Sequence, residues 1–390
     1  MRDLELYLHI PFCVRKCAYC DFLSAPAGRD VQRAYAGALQ REIRGFAGRA
    51  AQEYCVTTVF FGGGTPSILP ASDIAAFMDV MREGFVFAPD AEVTIECNPG
   101  TADREKLRVY RDAGINRLSL GLQSANDKEL AMLGRIHTWA DFLRTYEDAR
   151  AAGFDNINAD LMSALPGQTA ASWERTLRNV LALAPEHISA YSLIIEEGTP
   201  FYEKYHEDDE IRTDGGVPRF LPSEDAERRM YEMTEELLGE AGLRRYEISN
   251  YARPGCECRH NTGYWRGTEY MGFGLGASSL IAGNSGYTRL RNPDDLTAYL
   301  RGDFSGREMQ TLTVQDRMEE FMFLGLRLTD GISETEFARR FGCRIDKIYG
   351  KVLEQQQRLG LLARREGRVF LTPRGIDLSN RVMAEFLFDA

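Results

Sequence analysis

The sequence predicts an α/β protein: an open, partial (β/α)6 barrel followed by a small C-terminal winged-helix-like domain. In the first half of the chain, short β-rich runs alternate with amphipathic helical stretches, a pattern typical of parallel βαβ units with right-handed crossovers. In the last quarter, three helical stretches precede a short pair of strands. Six strand–helix units are too few to close an eight-stranded barrel, so we expect an open one.

Six short apolar runs are predicted as the strands of this barrel. They span residues 4–10, 56–61, 93–97, 117–122, 157–161 and 188–193. Between them, apolar residues recur at helical spacing, as in the series Tyr35, Leu39, Ile43 and Phe46. Polar or glycine-rich segments follow four of the strands, and the carboxyl ends of parallel strands face one side. These segments should therefore meet at one mouth.

The alternation of strands and helices ends after about residue 195. The acidic stretch 207–210 is interpreted as a solvated loop, and a helix is predicted over 223–240, beginning at a Ser N-cap. From about Val314 the chain favours three helices and then a strand pair over 361–371. We therefore predict three parts: the barrel over 1–200, a connecting region over 201–310 and the helical, winged-helix-like domain over 311–390.

Composition limits the classes of function. The chain has 390 residues, of which 44% are hydrophobic and 27% charged, as in ordinary globular proteins. Its net charge of −11 and the absence of a basic stripe argue against nucleic-acid binding. No apolar run is long enough to cross a bilayer, and the first residues do not resemble a secretory signal. We expect a cytoplasmic protein with reduced cysteines and at most peripheral membrane contact.

Three cysteines share one short loop near the start of the chain: Cys13, Cys17 and Cys20. Three soft thiolates without a fourth indicate a metal centre with one coordination position left for chemistry, because a closed structural site takes four ligands. Tyr19 lies between two of the ligands, and aromatic neighbours restrict access of water and oxygen. The alternatives are a zinc site completed by a distant histidine, or three cysteines with no joint role.

Candidate binding residues follow the predicted strands. The turn of Gly62, Gly63, Gly64 and Thr65 would let a backbone edge approach a ligand closely, although such turns are common. A carboxylate at the position of Glu96 could accept hydrogen bonds from two ribose hydroxyls, and a salt-bridging glutamate is the alternative. Three further polar residues are candidate binding residues because they lie near a strand end: Gln123, Arg135 and Asp160.

A second group of chemistry-bearing residues lies in the segment 253–266. It contains Cys256 and Cys258, three arginines, and the run His260, Asn261, Tyr264 and Trp265. Soft and imidazole ligands beside two aromatic rings suit an iron porphyrin, and arginines could bind its propionates. A structural loop with a hydrogen-bonded histidine is about equally compatible with this pattern.

These motifs together resemble the oxygen-independent coproporphyrinogen III oxidase family of radical-SAM proteins. The resemblance is carried by the cysteine loop after Tyr7, His9 and Pro11, by the glycine turn, and by the segments 96–99, 121–124 and 160–169. It covers most of the chain and implies a radical-SAM partial barrel. It also implies a [4Fe–4S] cluster on the three cysteines, with S-adenosylmethionine bound to the fourth iron.

Three differences favour the heme chaperone branch of that family over the true oxidases. Phe22 stands where the oxidases carry a further cysteine, only twelve residues precede Cys13, and the run 260–265 matches the HNxxYW signature of the branch. By position, the resemblance implies S-adenosylmethionine contacts and a heme motif, with no catalytic residue assigned. The S-adenosylmethionine contacts are Tyr7, Gly63, Gly64, Thr65, Glu96, Gln123, Arg135 and Asp160; the heme motif comprises His260, Asn261, Tyr264 and Trp265.

The leading hypothesis is thus a protein that binds heme and transfers it to an acceptor protein, with a respiratory complex as one candidate acceptor. Two enzymatic alternatives stay open: oxidative decarboxylation of coproporphyrinogen III, and another radical-SAM modification of a porphyrin. The sequence leaves open whether S-adenosylmethionine is consumed.

Overall fold

A computed structural model describes residues 1–50, 53–283 and 286–388 of the chain. Its strands are β1 (Arg2–Ile10), β2 (Tyr54–Gly63), β3 (Val86–Cys97), β4 (Arg117–Gln123), β5 (Ile157–Ser163), β6 (His187–Ser192), β7 (Arg244–Arg245), β8 (Asn250–Ala252), β9 (Tyr270–Phe273), β10 (Ser278–Gly283), β11 (Gly286–Arg291), β12 (Glu308–Leu312), β13 (Ile332–Ser333), β14 (Leu362–Arg365) and β15 (Arg368–Leu371).

The helices are α1 (Arg29–Ala50), α2 (Ala71–Gly84), α3 (Arg104–Asp112), α4 (Asp127–Met132), α5 (Trp139–Ala151), α6 (Ala170–Leu181), α7 (Pro200–Thr213), α8 (Glu224–Glu240), α9 (Arg259–Arg266), α10 (Leu296–Arg301), α11 (Val314–Gly325), α12 (Glu334–Phe341), α13 (Ile345–Arg358), α14 (Pro373–Asp377) and α15 (Ser379–Ala384). A short 3-10 helix spans Pro66–Ile68.

The six predicted strands form the parallel centre of one large sheet, in the order β1 to β6. Strands from the predicted connecting region extend this sheet on both edges. β9 pairs with β1 in parallel and leads to the antiparallel β10, β11 and β12, whereas β8 and β7 follow β6. The sequence analysis did not identify these strands, because several are only two to four residues long.

The two faces of the central strands differ in chemistry. On β1, Leu4, Leu6 and Leu8 are fully buried in the main hydrophobic core beside α1. The alternate residues face inward, and Tyr7 of β1 borders the same cavity as Ser189 of β6. The sheet must therefore curl so that its first and sixth strands face one interior, which gives the open barrel. Apolar burial outside and polar side chains inside follow from the two-residue period of strands.

Helix α9 lies inside the barrel near the amino ends of the strands. The carboxylate of Glu92 on β3 accepts hydrogen bonds from the main-chain N–H groups of Arg259 (3.0 Å) and His260 (3.2 Å), which satisfies the exposed donors of the helix N-terminus. A Cβ atom on Gly263 would lie 1.7 Å from the carboxylate of Glu5, so only glycine allows α9 to approach β1 this closely.

The acidic stretch 207–210, interpreted from sequence as a loop, is part of α7. Asp208 is buried, and its carboxylate accepts hydrogen bonds from the main-chain N–H groups of Arg219, Phe220 and Leu221 at 2.5–2.7 Å. The interpretation was wrong because Asp208 binds main-chain groups eleven to thirteen residues later, which local composition does not reveal.

The C-terminal domain has the predicted order of three helices and a strand pair. α11, α12 and α13 enclose a separate hydrophobic core that includes Met322, Phe337 and Leu353, and β13 adds a third strand beside the β14–β15 hairpin. The basic side chain of Arg364 pairs with Glu334 and Asp346 within the domain. This pairing agrees with a packing role for the hairpin. None of the helices in the described ranges is both long and apolar enough to span a membrane.

The C-terminal domain contacts the barrel through α9. Helix α11 packs against α9, and the guanidinium of Arg327 lies 4.3 Å from the centre of the Trp265 ring. The same guanidinium lies 3.7 Å from the buried carboxylate of Glu247, just before β8. The domain is therefore joined to the barrel at the predicted heme motif.

Candidate functional site

A cavity of about 390 Å³ opens at the carboxyl ends of the central strands. It brings together residues that lie far apart in the sequence but share the ability to bind iron, donate hydrogen bonds or accept them. The predicted site residues that line it are Cys13, Cys17, Tyr19, Cys20, Gly63, Gly64, Thr65, Glu96, Gln123, Arg135 and Asp160. The sequence predicted that these segments meet at one side of the barrel, and in the structure they line one cavity.

The cysteine loop is held at both sides by main-chain hydrogen bonds. The N–H of Cys13 donates to Ala25 O (3.3 Å), and the N–H of Ala18 donates to Leu133 O (3.0 Å). Arg135 directs Nη1 to the sulfur of Cys17 at 3.7 Å. Burial raises the pKa of the Cys13 and Cys20 thiols, so a positive group or a metal is needed to hold them as thiolates.

The donor set of this cavity fits a [4Fe–4S] cluster held by three cysteines. Besides the three thiols of the cysteine loop, its lining in the described residues includes the thiol of Cys97, whose pKa burial raises to about 12, and no histidine that could complete a tetrahedral zinc site. Within the same residues, no three His, Cys, Asp or Glu side chains converge as ligands of one metal ion. Three thiols on one loop that do not converge on one ion suit a multinuclear cluster better than a single ion.

The glycine turn packs directly against the base of the cysteine loop. Gly64 N–H donates to Ile10 O (2.9 Å), and Thr65 N–H donates to Phe12 O (2.7 Å). A Cβ atom on Gly64 would lie 2.6 Å from Phe12 O, which explains the glycine at this position. Thr65 makes no side-chain cap to the following 3-10 helix; its hydroxyl accepts from Asn98 Nδ2 at 2.9 Å.

Glu96 ends β3 inside the cavity, where its carboxyl accepts a hydrogen bond from the Gly63 N–H at 3.2 Å. Burial, and secondarily the charge of Asp160, raise the pKa of Glu96 to about 8. Burial also raises the pKa of Asp160, although Asn158 Nδ2 and the Ser119 hydroxyl donate to its carboxylate at 2.7 and 3.0 Å. Two acceptors of hydrogen bonds therefore lie side by side on one wall.

Gln123 and Arg135 complete this wall, and Gln123 ends β4, the strand between those of Glu96 and Asp160. Gln123 has a φ of 72° at a β-bulge that ends β4, which turns its side chain into the cavity lining. Arg135 donates from Nη2 to Asn98 Oδ1 (2.6 Å) and to the carbonyl of Gly121. The guanidinium is thus fixed between the cysteine loop and the strand ends.

Tyr19 and Phe22 have different environments. Tyr19 lines the cavity and packs near Phe201 with a ring separation of 6.4 Å. Phe22 is 61% exposed at the rim of the cavity. Aromatic cover on the cysteine loop therefore comes mainly from Tyr19.

Tyr7 lies deeper than the other predicted S-adenosylmethionine residues. It lines two further cavities, of about 200 and 430 Å³. His9 Nε2 contacts the carbonyl of Leu23 at 2.9 Å, and a carbonyl only accepts, so Nε2 carries the proton. The Tyr7 hydroxyl then donates to His9 Nδ1 at 3.0 Å. Burial lowers the pKa of His9, which keeps the ring neutral.

The predicted heme motif lies on α9 between these two deeper cavities. His260 is buried, and its Nδ1 and Nε2 lie 2.7 Å from the Thr58 hydroxyl and 3.0 Å from the Tyr264 hydroxyl. Its ring stacks on Phe60 at 5.1 Å. Burial, together with the charge of Arg117, lowers the pKa of His260 to about 3. Both ring nitrogens are engaged within the protein.

The rest of the motif borders the deeper cavities. Asn261 lines the 200 Å³ cavity, Tyr264 lines both, and Trp265 lines the 430 Å³ cavity with its buried Nε1 lacking a partner among the described residues. Cys258 is fully buried beside Glu92. The three arginines of the segment 253–266 line none of these cavities in the described part of the chain.

One functional candidate was missed from sequence: Arg117, the first residue of β4, whose side chain enters the 200 Å³ cavity. The sequence analysis assigned it only to a strand. The alternation of Arg117 with Ser119, Gly121 and Gln123 on one face of that strand was the available signal.

Two family models match this chain. The radical SAM superfamily model matches residues 7–180, and the HemN C-terminal domain model matches residues 312–378. The structure of coproporphyrinogen III oxidase (HemN) from Escherichia coli, described as a radical SAM enzyme, superimposes with a TM-score of 0.83. It is 25% identical, and the match covers 100% of this chain and 91% of that chain.

Several curated proteins are similar over most of their length. The heme chaperone HemW of Bacillus subtilis is 36% identical, with 98% of each chain covered. HemW of Escherichia coli is also 36% identical, with 88% of each chain covered. A mitochondrial radical S-adenosyl methionine domain-containing protein 1 of Danio rerio is 32% identical over 92% of this chain and 80% of its own.

Glu96 should make the protein less stable as pH rises from about 5 to about 8. The unfolded chain ionises this carboxyl near pH 4.5, whereas the folded chain keeps its proton to about pH 8. The folded state therefore holds the extra proton in this window, and raising the pH lowers the free energy of unfolding by at most ~1.4 kcal/mol per pH unit. Chemical denaturation of cluster-free protein across the window measures the slope.

Glu96→Gln should flatten that slope, since it removes the titrating group while keeping a similar shape. Glu83→Gln, at an exposed position on α2, is the matched control and should keep the wild-type slope. Equal slopes in all three proteins would contradict the assignment of the raised pKa to Glu96.

Proposed function

The chain belongs to the radical-SAM superfamily and, within it, to the HemW family, and we propose that it is a heme chaperone, which binds heme and passes it to an acceptor protein. One observation carries the proposal beyond family membership: the HNxxYW helix lines a 200 Å³ cavity, and that cavity shares Glu96 and Asp160 with the cavity that the cysteine loop lines. A protein that handles heme beside an iron–sulfur cluster needs both sites within one fold.

We propose that Cys13, Cys17 and Cys20 hold a [4Fe–4S] cluster. When bound, such a cluster supplies low-potential electrons and one open coordination position. The thiols of this chain lie on one pinned loop, and Tyr19 limits access of water to them. The guanidinium of Arg135 lies beside this loop, with Nη1 3.7 Å from the sulfur of Cys17.

S-adenosylmethionine is proposed to occupy the rest of the 390 Å³ cavity. Its positive and hydroxyl-bearing parts match a wall with acceptors at Glu96 and Asp160, and its carboxylate matches the guanidinium of Arg135. The glycine turn at Gly63 and Gly64 permits close approach of a ligand to the main chain. Tyr7 lies behind this cavity and would act by orienting His9 below the cysteine loop.

Heme is proposed to use the aromatic side of α9. Tyr264 and Trp265 line the 430 Å³ cavity together with Tyr270, which provides flat apolar surfaces suited to a porphyrin ring. His260 would act as a positioning residue, because its ring nitrogens already contact Thr58 and Tyr264. Asn261, one turn before Trp265 on the helix, lines the smaller polar cavity.

The second candidate function is oxidative decarboxylation of coproporphyrinogen III. The TM-score of 0.83 to HemN favours it, since the barrel and the C-terminal domain are shared. The 61% exposed Phe22 argues against it, because the resemblance places a further cysteine there in true oxidases. We further propose a cytoplasmic location and an acceptor protein that contains heme in its final form; a respiratory complex meets that description.

Cluster binding should depend on the cysteine loop alone. Cys17→Ser should abolish the broad four-iron absorbance after anaerobic reconstitution, because three thiolates are the minimum protein ligand set of such a cluster. Cys256→Ser is the matched control, as this cysteine is also partly buried but lies outside the cavity. Zinc in place of iron, or an unchanged spectrum in Cys17→Ser, would refute the proposed centre.

The chaperone and oxidase functions make opposite predictions for turnover. Reconstituted protein should bind heme tightly in an anaerobic titration followed by absorbance. Given coproporphyrinogen III, S-adenosylmethionine and a reductant, it should form no protoporphyrinogen. Robust formation of that product would refute the chaperone proposal and support the oxidase.

His260→Ala should weaken heme binding about tenfold, or ~1.4 kcal/mol, because Tyr264 loses its hydrogen-bond partner and α9 loses its packing on Phe60. The axial-ligand signature of the bound heme in absorbance and EPR spectra should stay as in wild type, and cluster absorbance should persist. His206→Ala on α7 is the control. A changed axial signature would instead make His260 an iron ligand, and unchanged affinity would exclude it from the site.

A further inference from the structure

Arg117 is a buried guanidinium without a partner of its own. It is 2% exposed, and in the described residues its side chain makes no ion pair or hydrogen bond; Nε is buried with no acceptor. Arginine stays protonated in proteins, so this position always carries a full positive charge. A buried guanidinium whose N–H groups find no acceptor is destabilising, and a protein keeps one where something else accepts those hydrogen bonds.

The nearby carboxylates attract Arg117 but accept no hydrogen bond from it. Glu92 is occupied by the main-chain N–H groups at the start of α9. Asp160 is occupied by Asn158 and Ser119. The planar donor fork of Arg117 is therefore available to a group that enters from outside the protein.

The 200 Å³ cavity beside Arg117 can be reached from two directions. It shares Glu96 and Asp160 with the 390 Å³ cavity, and it shares Tyr7 and Tyr264 with the 430 Å³ cavity. Its volume suits a small acidic arm of a ligand, while a porphyrin ring would have to lie in a neighbouring cavity. Besides Arg117, its lining includes the amide of Asn261, which could also donate.

We propose that Arg117 binds a carboxylate group of a ligand that occupies one of the two adjoining cavities. A carboxylate matches the guanidinium in both charge and bidentate geometry. A propionate of a tetrapyrrole would supply it, so the proposal rests on the proposed heme function; the carboxylate of S-adenosylmethionine is matched by Arg135 instead. None of the arginines in the segment 253–266 lines these cavities, so Arg117 takes the role that the sequence suggested for them.

The test compares each ligand with its uncharged counterpart in the cluster-loaded protein. Heme and heme dimethyl ester are titrated in one arm, and S-adenosylmethionine and decarboxylated S-adenosylmethionine in the other. The proteins are wild type, Arg117→Met, Arg117→Lys and the control Arg175→Met, which removes an exposed arginine on α6. In the heme arm, the preference for the acid should fall at least about tenfold in Arg117→Met, partly recover in Arg117→Lys and stay at the wild-type value in Arg175→Met. In the S-adenosylmethionine arm, the preference should stay at the wild-type value in all of these variants.

Asn261→Asp provides a second route if Arg117→Met does not fold. It places a carboxylate inside the same cavity, which would occupy the guanidinium and produce the same loss of preference. An unchanged preference in the heme arm, with either variant, would overturn the proposal and leave Arg117 as a structural counter-ion of Glu92 and Asp160. If wild type binds no heme at all, the proposed function fails; if wild type binds heme and its dimethyl ester equally well, only the role of Arg117 fails.

Discussion

The alternation of apolar and polar residues along the central strands is the constraint on which the rest of the structure depends. Parallel strands are usually apolar on both faces, because helices cover both. Here the outward residues, such as Leu118 and Leu120 on β4, are fully buried under the helices, whereas the inward residues are polar. The helical layer stabilises the fold, and the interior stays free for ligands.

A polar interior must satisfy its own hydrogen bonds, and most of this one does. The side-chain amide of Asn158 donates hydrogen bonds to Ser119 and Asp160 and accepts one from Ser189. His187 Nδ1 lies 2.6 Å from the Asn158 amide oxygen. This network fixes one half of the barrel without ligand. The unsatisfied atoms of Glu5 and Arg117, and the Trp265 Nε1, instead lie around α9. Other buried atoms without a partner in the described residues lie elsewhere, as on Tyr110 and Tyr349, so those of Arg117 and Trp265 matter because they border cavities.

The sequence predicted the barrel well because its signals were local. Strand periodicity predicted β1 to β6. Residues at the strand ends, such as Gly63, Glu96 and Asp160, predicted much of the lining of the 390 Å³ cavity. It could not predict features that depend on distant contacts. The burial of Asp208 depends on main-chain donors at 219–221, and the depth of Tyr7 and His260 depends on how α9 enters the barrel. Neither arrangement leaves a periodic pattern.

Through the contact between α9 and α11, the C-terminal domain contributes to a cavity of the barrel. Leu324 of α11 closes one side of the 430 Å³ cavity, and Arg327 covers the indole of Trp265 from the same side. A chain shortened before Val314 would leave these aromatic rings in an open, wettable groove. Part of the wall of the 430 Å³ cavity therefore comes from the C-terminal domain, and the barrel encloses this cavity only together with that domain.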